Sequence, residues 1–261
     1  MKKLTAVFGI ILSLIIASSP TIGVTPLTSN SIKFSPPPPP PDRGASGDRG
    51  GAASRGCGNG NQSVIALVPI YEQELKREQT EAVSMTKVWG LTVSEHPTFW
   101  FSVPNQKSTI NTIEFVLKDE SSKPSQTLYR ASIAIPEKPG IIRVSLPVRT
   151  PPLQIGKMYH WFFKMKVICN PQQAPERQYV EGWVQRVSPN PKLASSLKQA
   201  TAYQRVGLYA ENGIWYDALT TLAELRLVKP QDANLATDWI NLLQSVGLEK
   251  LANQPLTNCC K

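Results

Sequence analysis

The stretch Leu153–Cys169, LQIGKMYHWFFKMKVIC, constrains the fold of this chain more than any other. Tyr159, Trp161 and Phe163 alternate with His160, Phe162 and Lys164, the period-two pattern of a strand with one face in a core. Just upstream, Leu153, Gly156 and Tyr159 stand in an L-x-x-G-x-x-Y arrangement. That is the spacing of a tyrosine corner, where a turn is followed by a Tyr whose hydroxyl bonds back to the turn backbone, as in immunoglobulin-like sandwiches. Gly156 is therefore expected in the turn. Tyr159 and Trp161 are expected in the core, with the remaining strands packed around them.

Those strands are legible on either side. Val64–Val68, Thr86–Val93, Thr98–Val103, Thr112–Lys118, Thr127–Ile135, Ile141–Leu146 and Tyr179–Val187 are short, rich in apolar or β-branched residues, and in part alternating. Turn signals separate them: Glu95–His96–Pro97, Pro104–Asn105, Lys123–Pro124, Lys138–Pro139–Gly140, Pro151–Pro152 and Asn170–Pro171. Short strands with turns about every dozen residues predict an antiparallel immunoglobulin-like β-sandwich over 63–188. Tyr71–Ser84, polar and Glu/Lys-rich, reads as a helical turn or a long loop.

At Ser188 the period changes. Asn190–Pro191 is an N-cap followed by Pro at the first helical position. Leu193, Leu197, Ala200, Val206 and Ala210 then recur at helical spacing, and Asn212–Gly213 ends the helix. A second helix is expected from Trp215 to Val228, stopped by Lys229–Pro230, and a third behind the cap Asp232, with Gly247 past its end. Tyr209, Gly213, Ala218, Leu222 and Pro230 fall at the relative spacings of a tetratricopeptide helix pair. Residues 189–261 are thus expected to form a small tetratricopeptide-like helical module.

The N-terminal part is of another kind. Lys2 and Lys3, the apolar run Leu4–Ile16 and the small Ala17, Ser18 and Ser19 have the three regions of a secretory signal peptide over 1–19. Residues 20–62 carry the proline run Pro36–Pro41 and then DRGASGDRGGAASRGCGNGNQ, poor in apolar bulk. They read as a disordered Pro/Gly-rich tether. Export to the periplasm or the exterior is expected, with no transmembrane span after leader cleavage. The net charge of +9 does not single out nucleic acid. Up to residue 63 there are six basic and two acidic residues, from 64 to 191 fifteen and eleven, and from 192 on seven and six, with no run of like charge. A phosphate-binding protein concentrates its Lys and Arg in a stripe.

Candidates for chemistry are few. His96 and His160 have no second His or carboxylate at ligand spacing, so no metal site is assigned. Ser94–Glu95–His96 lacks the nucleophile elbow of a hydrolase, and no two of Glu114, Asp119, Glu120 and Glu181 stand out as a glycosidase pair. No catalytic residue and no cofactor is assigned. Trp89, Trp100, Trp161, Trp183, Trp215 and Trp239 come one per element, as core residues do. Four cysteines in an oxidising compartment, Cys57, Cys169, Cys259 and Cys260, imply two bridges with three connectivities. A bond between neighbours Cys259 and Cys260 would be strained. Each is therefore expected to reach a different partner, Cys57 or Cys169.

Several long motifs occur in order: RGCGNGNQSVIALVP (Arg55–Pro69), LTVSEHPTFWFSVP (Leu91–Pro104), YHWFF, VEGWVQRV and LYAENGIWYDALTTLAELR (Leu208–Arg226). With the closing Cys259–Cys260, this combination resembles the secreted cyanobacterial family catalogued as domain of unknown function 928. The resemblance implies an exported bacterial protein and supplies no activity, cofactor or catalytic residue. The expected function is a non-enzymatic binding or scaffolding module of the cell envelope, its partner an envelope protein or a cell-wall glycan. The alternatives are a glycan-binding or glycan-processing protein, and a thiol-redox protein using the Cys259–Cys260 pair.

Overall fold

The computed structural model describes residues 32–38, 47–50, 63–77, 80–121 and 123–257, those between 73 and 84 by backbone alone. In chain order the strands are β1 (Ile65–Ala66), β2 (Ile70–Arg77), β3 (Thr80–Thr92), β4 (Thr98–Val103), β5 (Ile110–Asp119), β6 (Gln126–Ser132), β7 (Gly140–Ser145), β8 (Met158–Val167) and β9 (Glu176–Arg186). The helices α1 (Pro191–Gln199), α2 (Ala202–Glu211), α3 (Trp215–Val228) and α4 (Ala233–Gln244) follow. The protein is mainly β, with two sheets: six strands in the order β2-β3-β9-β8-β5-β6, and three in the order β1-β4-β7.

Strand β8 runs inside the larger sheet, antiparallel to β5 on one side and β9 on the other. Its alternation sends Tyr159, Trp161, Phe163, Met165 and Val167 into the core. They meet the smaller sheet through aromatic rings. Phe101 of β4 stacks on Phe163 with centroids 4.1 Å apart, and Phe99 lies 4.9 Å from Phe115 of β5. Each such ring contributes roughly 1.5–3 kcal/mol through its removal from water. Trp100, on the opposite face of β4, is covered by α3, where its Nε1 donates to Thr220 Oγ1 at 3.0 Å.

The turn before β8 is built from backbone needs. Gly156 has φ +80°, the left-handed region that favours glycine, with no atom near where a Cβ would stand. Tyr159 is buried, and its hydroxyl accepts from the Gln154 N–H at 2.9 Å.

Three expectations about the β region and the tether ahead of it change. The larger sheet is not purely antiparallel: β3 runs parallel to β9, pairing Trp89–Thr92 with Trp183–Arg186. Tyr71–Ser84 is neither helix nor loop; it belongs to the antiparallel pair β2 and β3. Its polar composition fits because β2 lies at the edge of the sheet, where polar side chains are the rule. The described parts of the expected tether, 32–38 and 47–50, are packed. Asp48 and Glu181 exchange backbone hydrogen bonds at 3.1 and 2.8 Å, and Gly47 N–H donates to Thr86 O at 3.0 Å. Residues 47–50 thereby fill the place where β3 and β9 part below their parallel stretch. Phe34 is buried, its ring edge-on to Trp215 with centroids 4.9 Å apart. Ile32 and Phe34 lie just ahead of the proline run and supply the apolar surface that the Gly-rich part lacks. The remainder of the tether and the leader over 1–19 lie outside the described residues.

The helical region differs from the sequence pattern at one joint. Residues 191–211 form two helices, parted at Ala200–Thr201, because Thr201 and Gln204 make a reciprocal capping box that starts α2. Asn190 caps α1 by accepting from Leu193 N–H, and Asp232 caps α4. Gly213, with φ +71°, makes the turn into α3, and Pro37 packs so close that a Cβ there would lie 2.9 Å from its Cδ. Trp215 then anchors α3 by donating its Nε1–H to Leu67 O at 2.8 Å. No described helix is long and apolar enough to cross a membrane.

Candidate binding face

The core-facing residues of β5, β8 and β9 leave their alternate neighbours on the outer face of the larger sheet, and strand register arranges these in rows. Lys118, His160 and Trp183 stand side by side in the first row; Val116, Phe162 and Glu181 in the second; Glu114, Lys164 and Tyr179 in the third; Thr112, Lys166 and Arg177 in the last. The face therefore grades from buried aromatic rings at one end to exposed cations and a bare tyrosine at the other. Tyr179 is 53% exposed. Around Phe162 and Tyr179 the surface is concave, enclosing about 510 Å³ lined also by Thr112, Glu114, Lys118, Lys164, Lys166 and Arg177.

Cations outnumber carboxylates on this face. Lys118 Nζ and Lys164 Nζ lie 5.4 and 5.3 Å from the centroid of the same Phe162 ring. Two ammonium groups share one π face system, at a distance where the ring quadrupole attracts each of them. Glu114 is engaged by Arg130 of β6. Among the described residues, no carboxylate pairs with Lys118, Lys164, Lys166 or Arg177. Counting charge along the chain hid this patch, because its members come from three strands and are brought together only by register.

His160 anchors the buried end. Its ring stacks on Trp183, centroids 4.2 Å apart and 10° from parallel, and touches Phe162 at 4.1 Å. Nδ1 lies 2.9 Å from Glu120 Oε1, and Nε2 lies 3.3 Å from Glu181 Oε2 without hydrogen-bond geometry. Burial pushes the Glu181 carboxyl up from its usual range, with Asp48 and Glu120 adding to the rise and His160 opposing it. Sequence spacing could not supply these partners, since Glu120 follows the end of β5 and Glu181 lies in β9. His160 is too enclosed to meet a ligand; it fixes the rings behind Phe162. Among the described residues, no three His, Cys, Asp or Glu converge as a metal site.

A second, smaller hollow of about 110 Å³ lies at the seam with the helices, lined by Ser94, His96, Tyr209, Asp217 and neighbours. His96 is tied into its turn: its N–H donates to Ser94 Oγ, and its Nε2 is 2.8 Å from Thr150 O. Glu95, beside it, pairs with Arg186 instead.

The residues singled out in the sequence belong to the framework under the face rather than to the face itself. Gly156 and Tyr159 form the turn, and Trp161 is fully buried with its Nε1 donating to Tyr216. Gly213 and Trp215 seat α3. Cys169, just past β8, is held in a disulfide. The connectivity expected for Cys57, Cys259 and Cys260 falls on residues outside the described ones. Tyr179, Lys118 and Arg177 had no motif to mark them, and YHWFF did not distinguish Phe162 from its core-facing neighbours. Their one signal was the outward half of the alternation in β5, β8 and β9.

Fold and face together define a two-sheet, mainly β protein with a helical layer and a cationic aromatic sheet surface. Residues 50–256 match the family described as Domain of Unknown Function (DUF928), and the chain belongs to that family. None of the curated proteins matches the chain.

Proposed function

We propose that the chain is a non-enzymatic binding module of the cell envelope, exported by its leader to the periplasm or beyond, and that it holds its ligand on the outer face of β5, β8 and β9. One observation carries this reading: a concave surface on which Phe162 and Tyr179 stand among three amines and one guanidinium that pair with no carboxylate among the described residues. Aryl rings and fixed cations are groups of recognition, and the His160 imidazole is packed behind them. In this reading the two sheets form an immunoglobulin-like sandwich, supported by the hydrogen bond from Gln154 N–H to Tyr159 Oη. The pair α2 and α3, joined through Gly213, is read as a tetratricopeptide-like hairpin that buttresses the sandwich.

Co-sedimentation tests the proposal. The purified mature chain is mixed with insoluble cell-wall fractions of a cyanobacterium, and the double variant Phe162→Ala/Tyr179→Ala is run beside it. Wild type is expected in the pellet and the variant in the supernatant, with equal thermal midpoints. A wild type left wholly in the supernatant, or a variant that pellets as well, overturns the reading.

A further inference from the structure

The cation pattern on this face narrows the ligand further, on the assumption that the face is the binding surface proposed above. We infer that it takes an acidic glycan, a chain of sugars bearing carboxylate groups. Three features converge on that chemistry.

The first is charge complementarity. Lys118 and Lys164 approach the Phe162 ring to 5.4 and 5.3 Å, concentrating positive charge around it, and neither pairs with a described carboxylate. An anion set over Phe162 relieves both. Lys166 and Arg177 continue the positive charge along the next row, which suits a polymer with an anionic group at each residue or every second one.

The second is the shape of the apolar surface. Phe162 and Tyr179 lie in adjacent rows of neighbouring strands, Phe162 opposite Glu181 and Tyr179 opposite Lys164. They line a hollow of about 510 Å³, within the range of small-ligand sites. Sugar rings have apolar C–H faces that stack on aryl groups, and their hydroxyls need scattered acceptors and donors. Thr112 and Glu114 supply these at the rim.

The third is the placement of Glu114 in the midst of the cations, 16 residues from the Arg130 that holds it. A surface for a nucleic-acid backbone is a continuous basic stripe that neutralises several phosphates. A carboxylate in the centre works against that, yet it is well suited to accept from sugar hydroxyls.

The test is titration calorimetry of the mature chain with tetragalacturonate, with the neutral galactose tetramer, with poly-glutamate and with oligo-thymidylate. Tetragalacturonate is expected to bind, more weakly as salt rises. The neutral tetramer is expected to be weaker by roughly tenfold or more, as when several charged contacts are lost together. Lys118→Gln/Lys164→Gln, folded as judged by an unchanged thermal midpoint, is expected to lose about the same factor, and Phe162→Ala is expected to weaken both tetramers. Equal binding of both tetramers overturns the acidic preference. Tighter binding of poly-glutamate or oligo-thymidylate than of tetragalacturonate overturns the glycan. No calorimetric binding of tetragalacturonate, with wild type still pelleting on cell wall, refutes this inference while leaving the binding module standing. Failure of both assays removes the face itself.

Discussion

The indole of Trp161 and the phenol of Tyr216 are joined by one buried hydrogen bond. Trp161 Nε1–H donates to Tyr216 Oη at 2.8 Å, and that hydroxyl donates onward to Trp183 O at 3.1 Å. The three groups link β8, α3 and β9 in a single chain through the core. Burial raises the Tyr216 pKa far above its ordinary value, so the hydroxyl keeps its proton and both bonds persist across the working pH range. The helical layer and the larger sheet are therefore coupled by polar contacts as well as by apolar area, and the sheet bearing the candidate face is held from behind.

Tyr216→Phe keeps the ring and removes both bonds. It leaves a buried indole N–H without an acceptor and a buried carbonyl without that donor. The expected cost is about 1–3 kcal/mol, read as a lower midpoint in urea unfolding. A midpoint that does not move shows that the linkage contributes nothing.

Tyr159→Phe asks the same of the turn before β8. Here the hydroxyl is the acceptor, and the variant strands the Gln154 N–H. The expected loss is again about 1–3 kcal/mol. Gly156→Ala, at φ +80° with open space around the Cβ, provides a backbone comparison: strain without a clash, costing about 1 kcal/mol. Should Tyr159→Phe unfold at the wild-type midpoint, the corner is not a stabilising device.

Much of this architecture could be read from local pattern, and the reasons for the failures are physical. β8 was legible because one face of it is buried, which forces a period on the sequence, and β4 because both of its faces are covered and its run is apolar almost throughout. β2 was not, because an edge strand need bury little and can be polar. The break at Thr201 was hidden by an apolar period that continues across it; the Thr201–Gln204 capping box was the available signal. The binding face lay deeper. Phe162 and Lys164 were visible as the outward half of a strand, but Lys118 and Tyr179 become their neighbours only once register is set. No spacing within one segment records that.

Phe34 tests whether the chain ahead of the first strand is a spacer or part of the fold. Its ring is 4% exposed and packs edge-on against Trp215, and Ser35 N–H donates to Ala210 O at 3.0 Å. Phe34→Ala is expected to cost about 3 kcal/mol, as for other buried Phe truncations, and to lower the thermal midpoint. A chain beginning at Gln62, lacking also the Asp48–Glu181 pairing, is expected to be less stable still. Midpoints equal to wild type in both would return the whole segment to the role of a tether.

Asp217 gives the protein a pH dependence of definite sign. It stands in the first turn of α3, and its Oδ2 accepts from Thr92 Oγ1 at 2.8 Å and from Val93 N–H at 3.1 Å. These bonds and the helix N-terminus favour the anion, but burial outweighs them and pushes the pKa from 3.8 to about 6. The folded chain thus holds this proton more tightly than the unfolded chain. The stability tied to it is fully present below pH 3.8 and is lost as pH rises through about 6. A shift of this size corresponds to about 3 kcal/mol, lost between roughly pH 4 and 7. Asp217→Asn keeps an oxygen to accept from Thr92 and Val93 and cannot titrate. Measured by urea unfolding at steps of pH, the stability of wild type minus that of the variant is expected to fall by about 3 kcal/mol across that interval. Glu181 and Asp119 titrate in both chains and cancel in the difference. Parallel curves would mean that the Asp217 carboxyl titrates alike in the folded and unfolded chains, and that its burial carries no electrostatic cost.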